Sequence, residues 1–391
     1  MATVVMVVTG TAGDVHPLVA IGGGLTARGH RCTLISHAPY AGRARAAGLE
    51  FVPLDTPEEY KRLLQASAEL VTRNHDADAR RRVAGWYHNA TRAKLKFDEV
   101  TRRVGSDGSV VIARYVTETD AINAAQAAGV VAAWSLVSPH AVDEARGIDQ
   151  LHGGAYLDAL NIERHRFGLA PVDNWLSWVE ASPRLGLWPY WFAPDMENTP
   201  GLYTTGFPDD RGRPLPADIW QFLGDGVPPV LVTAGSGMML APGFHRAAVK
   251  GALCAGFRVL AVGGEPGLIS SRRDSRVEHR QSLPLAALIP HVAAVVHHGG
   301  IGTVARCFEA GVPQLVLAQG VDRPDNAARA QRLGVAIAVP PAAWRPAEVT
   351  QGLRRLCDET QHRQKAAEWA AVMGMNNGVA SACDRIEELL N

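Results

Sequence analysis

Two adjacent histidines and a glycine-rich turn, His297-His298-Gly299-Gly300-Ile301-Gly302-Thr303, are the residues here most suited to holding an anion. A buried strand, Ala293 to Val296, runs into them, and a helix-compatible run to Ala310 follows. A strand–turn–helix of this kind presents unpaired backbone N–H groups and the positive end of a helix dipole. Glycines also let a ligand's phosphates approach the main chain closely. His298, at the strand's carboxyl end, is placed to donate a hydrogen bond to the same anion. After a turn at Gly311-Val312-Pro313, a second buried strand, Gln314 to Leu317, carries Asp322 and Asn326 to the same edge of the sheet, where open α/β folds bind ligands.

A second set of reactive side chains lies near the N-terminus. The strand Thr3 to Val8 feeds Thr9-Gly10-Thr11-Ala12-Gly13-Asp14-Val15-His16-Pro17, and a helix is expected from Leu18 to Arg28. A carboxylate in such a turn can take a proton from a hydroxyl, and Asp14 can equally serve as the N-cap of the helix. The turn lacks GxGxxG, and the next strand, Cys32 to Ile35, ends in Ser36-His37 instead of an acidic ribose anchor, which argues against a dinucleotide-dependent dehydrogenase.

The elements that position these groups follow from size and pattern. With 391 residues, 47% of them hydrophobic, the chain can bury large cores and favours two domains. The 39 basic residues balance the 39 acidic ones without a single-sign block, so neither nucleic acid nor an anionic membrane is an expected partner. Cys32, Cys254, Cys307, Cys357 and Cys383 have no paired spacing, which implies neither disulfides nor zinc. The run Val4 to Val8 is too short for a leader or a membrane span, so a cytoplasmic, soluble protein without an integral membrane segment is expected.

Along the chain, a helical region from Glu58 to Val104 is broken around Asn74 to Asp78 and contains Trp86, Tyr87 and His88. Ser109 to Ala113 and Val130 to Ala133 read as strands flanking a helix from Glu118 to Ala128, with a loop from Trp134 to His140 beyond. A segment rich in Pro, Gly and Asp precedes Val230 to Thr233, where a second strand, a glycine turn (Gly235-Ser236-Gly237) and a helix from Gly243 to Ala255 repeat the N-terminal pattern. Phe257 to Val262 is the next strand, Gln281 to Leu285 a loop, and Pro346 to Asn391 a helical tail.

The ordered set HHGGIGT, AGVP, Asp322 and Asn326, with GDVHP near the N-terminus, resembles the signature of the inverting family 1 glycosyltransferases. The resemblance implies an α/β GT-B fold, two Rossmann-like domains facing across a cleft, with the C-terminal helix returning to the N-domain. The implied divisions are an acceptor-binding domain at 1–207, a linker at 208–228 and a nucleotide-sugar-binding domain at 229–391. Asp14 falls where many relatives carry a catalytic histidine and is expected to be the general base, with His16 as a lesser catalytic candidate. The donor diphosphate would be held by Thr11, Ser236, His298, Gly299, Gly300, Gly302 and Thr303, the donor sugar by Asp322, Arg323 and Asn326, and the nucleobase at Ser282 and Leu283. Trp86, His88, Trp134 and His140 are the expected acceptor contacts. No metal and no cofactor is expected. The partners would be a dTDP- or UDP-sugar and a small-molecule acceptor, bound by a monomer or homodimer.

Two departures from the family pattern bear on the donor. Arg306 stands where relatives that grip a ribose diol place a glutamate, which adds weight to a deoxyribose donor. Arg323 follows Asp322 where relatives have glutamine, and a guanidinium has no acceptor with which to copy an amide. LNIERHRFGLAPV, LGLWPYWFAP and TGFP resemble the bacterial branch that contains the rhamnolipid rhamnosyltransferase catalytic subunit. The rival readings are a donor-binding homologue without transferase activity and a sugar-nucleotide 2-epimerase.

Overall fold

A computed structural model of the chain describes residues 1–72, 77–87, 89–105, 108–208, 213–235, 243–264, 274–320, 322–375 and 377–390. It divides into two units, Met1–Ala66, Ala77–Asp209 and Asn377–Asn391 in the first, Ser67–Asp76 and Asp210–Asn376 in the second.

The first unit is built on a parallel sheet of β1 (Thr3–Val7), β2 (Arg31–Ser36), β3 (Glu50–Pro53), β4 (Ser109–Arg114), β5 (Val131–Leu136), β6 (Arg184–Gly186) and β7 (Leu202–Thr204), in the order β3-β2-β1-β4-β5-β6-β7. The order reverses between β1 and β4, and in doubly wound sheets the crevice outside that reversal is where ligands bind. β1 reads as an unbroken apolar run because both its faces are covered: Val4, Val5, Met6 and Val7 are all fully buried. The helix that follows spans Ala12–Ala27, so it begins six residues earlier than the pattern suggested. Pro17 misled that reading. It sits in the second turn, where its missing N–H costs one backbone bond without stopping the helix.

The last helix, Gly378–Glu388, packs against helix Ala12–Ala27, and its Ala382, Cys383 and Ile386 share one buried core with Met6, Leu18 and Ile21. Arg28 pairs with Asp384 at 2.6 Å and with Glu387 at 2.7 Å. The close approach depends on glycine: a Cβ on Gly24 would lie 2.8 Å from Val379 Cγ1 and 2.9 Å from Cys383 Sγ.

The second unit repeats the plan with β8 (Val230–Thr233), β9 (Val259–Val262), β10 (Val277–Arg280), β11 (Ala294–His297), β12 (Gln314–Val316) and β13 (Ala336–Ala338), all parallel, in the order β10-β9-β8-β11-β12-β13. Its reversal lies between β8 and β11, where His297 pairs in register with Thr233. Within 208–228, helix Ala217–Gly224 is more than a tether, since Leu215 and Ile219 are buried in this unit's core with Leu231, Leu260 and Val295.

Several elements were not anticipated, among them the short strands β6, β7 and β13. Helix His140–Arg166 runs through 27 residues that contain three glycines and many charges, a composition that hides its length. Strand β10 carries Glu278, His279 and Arg280, polar residues on an edge strand.

Candidate functional site

In the first unit the turn after β1 is held peptide by peptide. Thr9 donates its N–H to Glu118 Oε1 at 3.1 Å, and its hydroxyl donates to the same oxygen. Gly10 donates its N–H to His37 Nε2 at 3.0 Å, and its carbonyl accepts from the Tyr60 hydroxyl at 3.0 Å. Gly10 adopts φ +129°, and a Cβ there would lie 2.4 Å from Asp14 Oδ2, so only glycine fits.

Thr11 is the N-cap of helix Ala12–Ala27, and Asp14 is its third residue, not the cap. The Asp14 Oδ2 accepts from the Thr11 N–H at 2.8 Å and from the Thr11 hydroxyl at 3.2 Å, the reach-back half of a capping box. Asp14 Oδ1 faces Arg114, at the carboxyl end of β4, at 3.2 Å. A carboxylate has about four lone-pair sites. Oδ2 is spent on Thr11, and Oδ1 keeps one lone pair beyond the guanidinium contact. The Thr11 hydroxyl, expected at the donor diphosphate, is turned to Asp14 instead. His16 is half-buried with its ring edge-on to Tyr40 at 5.8 Å.

Arg114 is the hub behind the turn. The nearby Asp14, Tyr87 and Glu118 together hold its guanidinium charged against the cost of burial. Glu118 Oε2 pairs with Lys96 Nζ at 2.6 Å, and Asp120 pairs with the same ammonium at 2.6 Å. Glu163, raised above its ordinary range by burial, lies close enough to act on both carboxylates. One ammonium cannot neutralise three carboxyls. Glu118, which also takes two hydrogen bonds from Thr9, stays below the ordinary glutamate value despite its burial. Asp120 is pushed up to about 8 by burial and by the charges of Glu118 and Glu163.

The sign of the resulting pH dependence follows. Asp120 binds its proton more tightly when folded, so its contribution to stability is complete below the unfolded value of 3.8 and is lost as pH rises towards about 8. Asp120→Asn removes that titration. Relative to wild type, the variant should gain on the order of 1–3 kcal/mol between about pH 5 and pH 8 in urea unfolding. A difference that is flat with pH would contradict the assignment.

In the second unit the turn after β11 has the same construction. Gly299, at φ +91°, donates its N–H to His297 Nδ1 at 3.1 Å, while its carbonyl accepts from Asn326 Nδ2 at 3.1 Å. Gly300 is the N-cap of helix Ile301–Ala310 and offers no capping side chain, and since the Thr303 N–H turns to the Gly300 carbonyl, the N–H groups of Ile301 and Gly302 are those left for an external acceptor. The His298 ring lies between two glycines: a Cβ on Gly235 would sit 2.5 Å from its Cε1, and one on Gly300 would sit 2.5 Å from its Nε2. Burial, then the charge of Arg323 and the neighbouring His297, push His298 well below the ordinary imidazole range, with the Thr233 backbone pulling the other way. The ring is therefore neutral near pH 7 and acts as an N–H donor, not as a cation. His297, also buried, is pushed down to about 4.

Gly302 differs from its neighbours. It is helical, its φ is not positive, and among the described residues a Cβ there would meet nothing within 4 Å. The fold does not require glycine at this position. Thr303 is buried in the same first turn, its N–H bonded to the Gly300 carbonyl at 3.0 Å.

The remaining predicted residues separate by burial. Asn326 is fully buried, and its amide donates to the Gly299 carbonyl and to Asp322 Oδ2 at 3.0 Å, so it shapes the turn and is not exposed to a sugar. Arg323 lies beside the turn, its guanidinium donating to the Gln319 carbonyl at 2.9 Å. Ser282 is exposed, whereas the Leu283 side chain packs on the core, leaving only its backbone to meet a base. Trp134 must be corrected as an acceptor contact. β5 runs on to Leu136, and the indole is fully buried between Tyr115 and Trp178 with its N–H on the Val179 carbonyl at 2.9 Å. Trp86 is half-buried, 4.7 Å from the His37 ring and under Arg92. His140 opens helix His140–Arg166. His88 and Ser236 lie outside the described residues.

Sequence reasoning missed Arg114, Glu118, Lys96, His37, Asp55 and Tyr60. His37 was noted only as a non-acidic strand end, and the buried Lys96 was hidden in a charged helix.

Residues 4–83 match the glycosyltransferase family 28 N-terminal domain, and residues 273–389 match the erythromycin biosynthesis protein CIII-like C-terminal domain. The O-mycaminosyltylonolide 6-deoxyallosyltransferase of Streptomyces fradiae is 29% identical over 98% of this chain and 97% of its own length. The dTDP-epi-vancosaminyltransferase of Amycolatopsis orientalis is 27% identical over 84% of this chain and 83% of its own length. Among solved structures, the calicheamicin glycosyltransferase superposes with a TM-score of 0.74 at 20% identity, covering 100% of this chain and 98% of its own. Fold, turns and matches together define a glycosyltransferase of the GT-B type. The chain is similar along its length to glycosyltransferases of bacterial natural-product biosynthesis, and the narrower likeness to the rhamnolipid branch stays a likeness of three passages. Among the described residues, no helix is long and apolar enough to cross a membrane.

Proposed function

We propose that this enzyme transfers a sugar, with inversion, from a dTDP-sugar to a hydroxyl of a small natural-product acceptor. The observation that carries the reading is the pair of glycine turns, each at the reversal point of its sheet, one presenting a carboxylate and the other an uncapped helix N-terminus with a neutral imidazole.

In this reading Asp14 takes the acceptor's proton on the lone pair that Oδ1 keeps, and the acceptor oxygen attacks the anomeric carbon from the face opposite the leaving diphosphate. The C–O bond to the diphosphate breaks as the new glycosidic bond forms. The growing negative charge is met by the first-turn N–H groups of helix Ile301–Ala310, by the His298 N–H and by the nearby Arg323 guanidinium. Charge neutralisation is thus assigned to protein groups, and no step is assigned to a metal or cofactor.

Three observations support dTDP over UDP. Arg306 occupies the position of the diol-binding carboxylate and is turned to Glu309 at 2.9 Å. A relative is named for a dTDP-sugar, and two glycosyltransferases of the same fold were solved with dTDP bound. A deoxyribose has no 2′-hydroxyl to satisfy. The acceptor class follows the bacterial relatives named for macrolide and vancomycin acceptors, which match at higher identity than the sterol glucosyltransferases.

The test is product formation. A dTDP-deoxysugar incubated with a panel of polyketide and peptide aglycones should release dTDP only when an acceptor is present, and the product's anomeric configuration should be opposite to the donor's. Retention, or donor isomerisation without acceptor, would overturn the reading. Gly302→Ala gives an independent check. Because the fold leaves room for the methyl, the variant should be as stable as wild type or about 0.5–1 kcal/mol more stable. Its donor KM should nonetheless rise about tenfold, because the methyl meets the diphosphate. An unchanged KM would remove Gly302 from the donor site.

A further inference from the structure

Both glycine turns are clamped by buried side chains on the two peptide groups that flank one glycine. In the first unit His37 Nε2 accepts the Gly10 N–H at 3.0 Å, and His37 Nδ1 meets Asp55 Oδ2 at 2.6 Å. Asp55 Oδ1 accepts the Ala38 N–H at 2.9 Å, so the carboxylate is fixed in turn. The Gly10 carbonyl takes the Tyr60 hydroxyl, which the Tyr40 hydroxyl meets at 2.8 Å. The side chains of His37 and Asp55 are both 0% exposed, and the His37 ring packs at a tilt against Tyr60 at 4.4 Å and Trp86 at 4.7 Å.

In the second unit His297 Nδ1 accepts the Gly299 N–H at 3.1 Å, while His297 Nε2 donates to Gln314 Oε1 at 3.0 Å, and the Gly299 carbonyl takes the Asn326 amide at 3.1 Å. His297, Gln314 and Asn326 are all 0% exposed.

A backbone N–H is only a donor. The ring nitrogen that receives it must carry a lone pair, and an imidazolium has none. The geometry therefore sets both protonation state and tautomer. His37 must be neutral with its proton on Nδ1, and His297 must be neutral with its proton on Nε2. Each arrangement holds both peptides that flank one glycine, and that glycine immediately precedes the groups that would do the chemistry: Thr11 and Asp14 after Gly10, and Gly300 and the uncapped helix after Gly299.

We propose that His37 with Tyr60, and His297 with Asn326, are positioning residues for the two reactive turns, each imidazole acting as a neutral acceptor in opposite tautomers. What the turns position rests on the function proposed above; the clamp itself does not. His37 and Tyr60 set the pose of Asp14 and so act on turnover. His297 and Asn326 set the direction of the N–H groups that receive the diphosphate and so act on donor affinity.

The experiment has two readouts. Long-range 1H–15N correlation spectra of the 15N-histidine-labelled enzyme at pH 7 should show His37 protonated at Nδ1 and His297 protonated at Nε2. The opposite tautomer, or an imidazolium, at either residue would overturn the clamp there. The second readout compares variants that keep or delete the acceptor. In His297→Asn the amide oxygen stands in for Nδ1, and dTDP affinity should stay within about threefold of wild type; in His297→Leu it should fall about tenfold. His37→Leu should leave dTDP affinity unchanged and lower kcat about tenfold at saturating donor, and His37→Gln, whose amide oxygen stands in for Nε2, should recover most of it. Leucine and amide variants behaving alike would reduce both histidines to packing. If a leucine variant does not fold, the amide variant and the wild-type spectra still decide. If wild type binds no dTDP, the donor reading fails while the tautomers still judge the clamp.

Discussion

Asp14→Asn should lower kcat about a thousandfold and leave the affinity for dTDP unchanged, within the usual range for loss of a general base. Asparagine has the size of aspartate and keeps an oxygen for the Thr11 N–H, so the cap of helix Ala12–Ala27 survives. What is lost is a group able to take a proton. Arg114 loses one anionic partner but keeps Tyr87 and Glu118, so the turn should stay folded. The measurement is initial rate against acceptor at saturating donor, beside calorimetric dTDP binding. A kcat within about fivefold of wild type would move the base elsewhere, with His16 the next residue to test. A joint loss of kcat and donor affinity would indicate that the turn had collapsed, which a melting curve would detect.

The second large effect is on stability. Lys96→Met keeps the aliphatic stem but removes the ammonium that Glu118 and Asp120 share at 2.6 Å. Breaking a buried pair by deleting one partner leaves uncompensated charge, which costs about 3–5 kcal/mol. Replacing the whole group is a different matter. The triple variant Lys96→Met, Glu118→Gln, Asp120→Asn should recover much of that loss, because neutral isosteres leave no charge to solvate. Urea unfolding followed by tryptophan fluorescence checks both. A single variant as stable as wild type would mean that water reaches the cluster. The cluster also matters to chemistry, since Glu118 holds both the N–H and the hydroxyl of Thr9, one peptide before the clamped Gly10.

How far the molecule was legible from its sequence depends on how local each signal is. The parallel strands around each glycine turn could be read because a strand buried on both faces is a continuous apolar run, and because His297 to Thr303 carries its meaning in seven consecutive residues. The anion site is local in the same sense, since it needs only a turn and a helix start. The clamps are not local. His37 and Tyr60 meet Gly10 from 27 and 50 residues away, and Asp55 meets His37 behind it, brought there by the pairing of β1, β2 and β3. Lys96 finds Glu118 only because helix Ala90–Arg103 packs on helix Thr119–Ala128. Trp134 failed for another reason. Strand ends are weakly marked, and three more residues of β5 carried the indole from an expected loop into the core. Asn326 was read as a ligand contact because it follows the last strand at family spacing, but its amide is committed to Gly299 and Asp322.

The donor site is the centre of the account, and calorimetric titration of the folded wild-type enzyme with dTDP and with UDP tests it most directly, with His298→Ala as the control. Saturable one-site binding of dTDP is expected, with weaker binding of UDP because Arg306 offers no acceptor for a ribose diol, and loss of about tenfold or more in affinity in the variant. Equal or tighter binding of UDP would contradict the inference from Arg306. Failure of folded wild type to bind either nucleotide, or full affinity in His298→Ala, would contradict the assignment of the Gly299–Gly302 turn to the donor diphosphate.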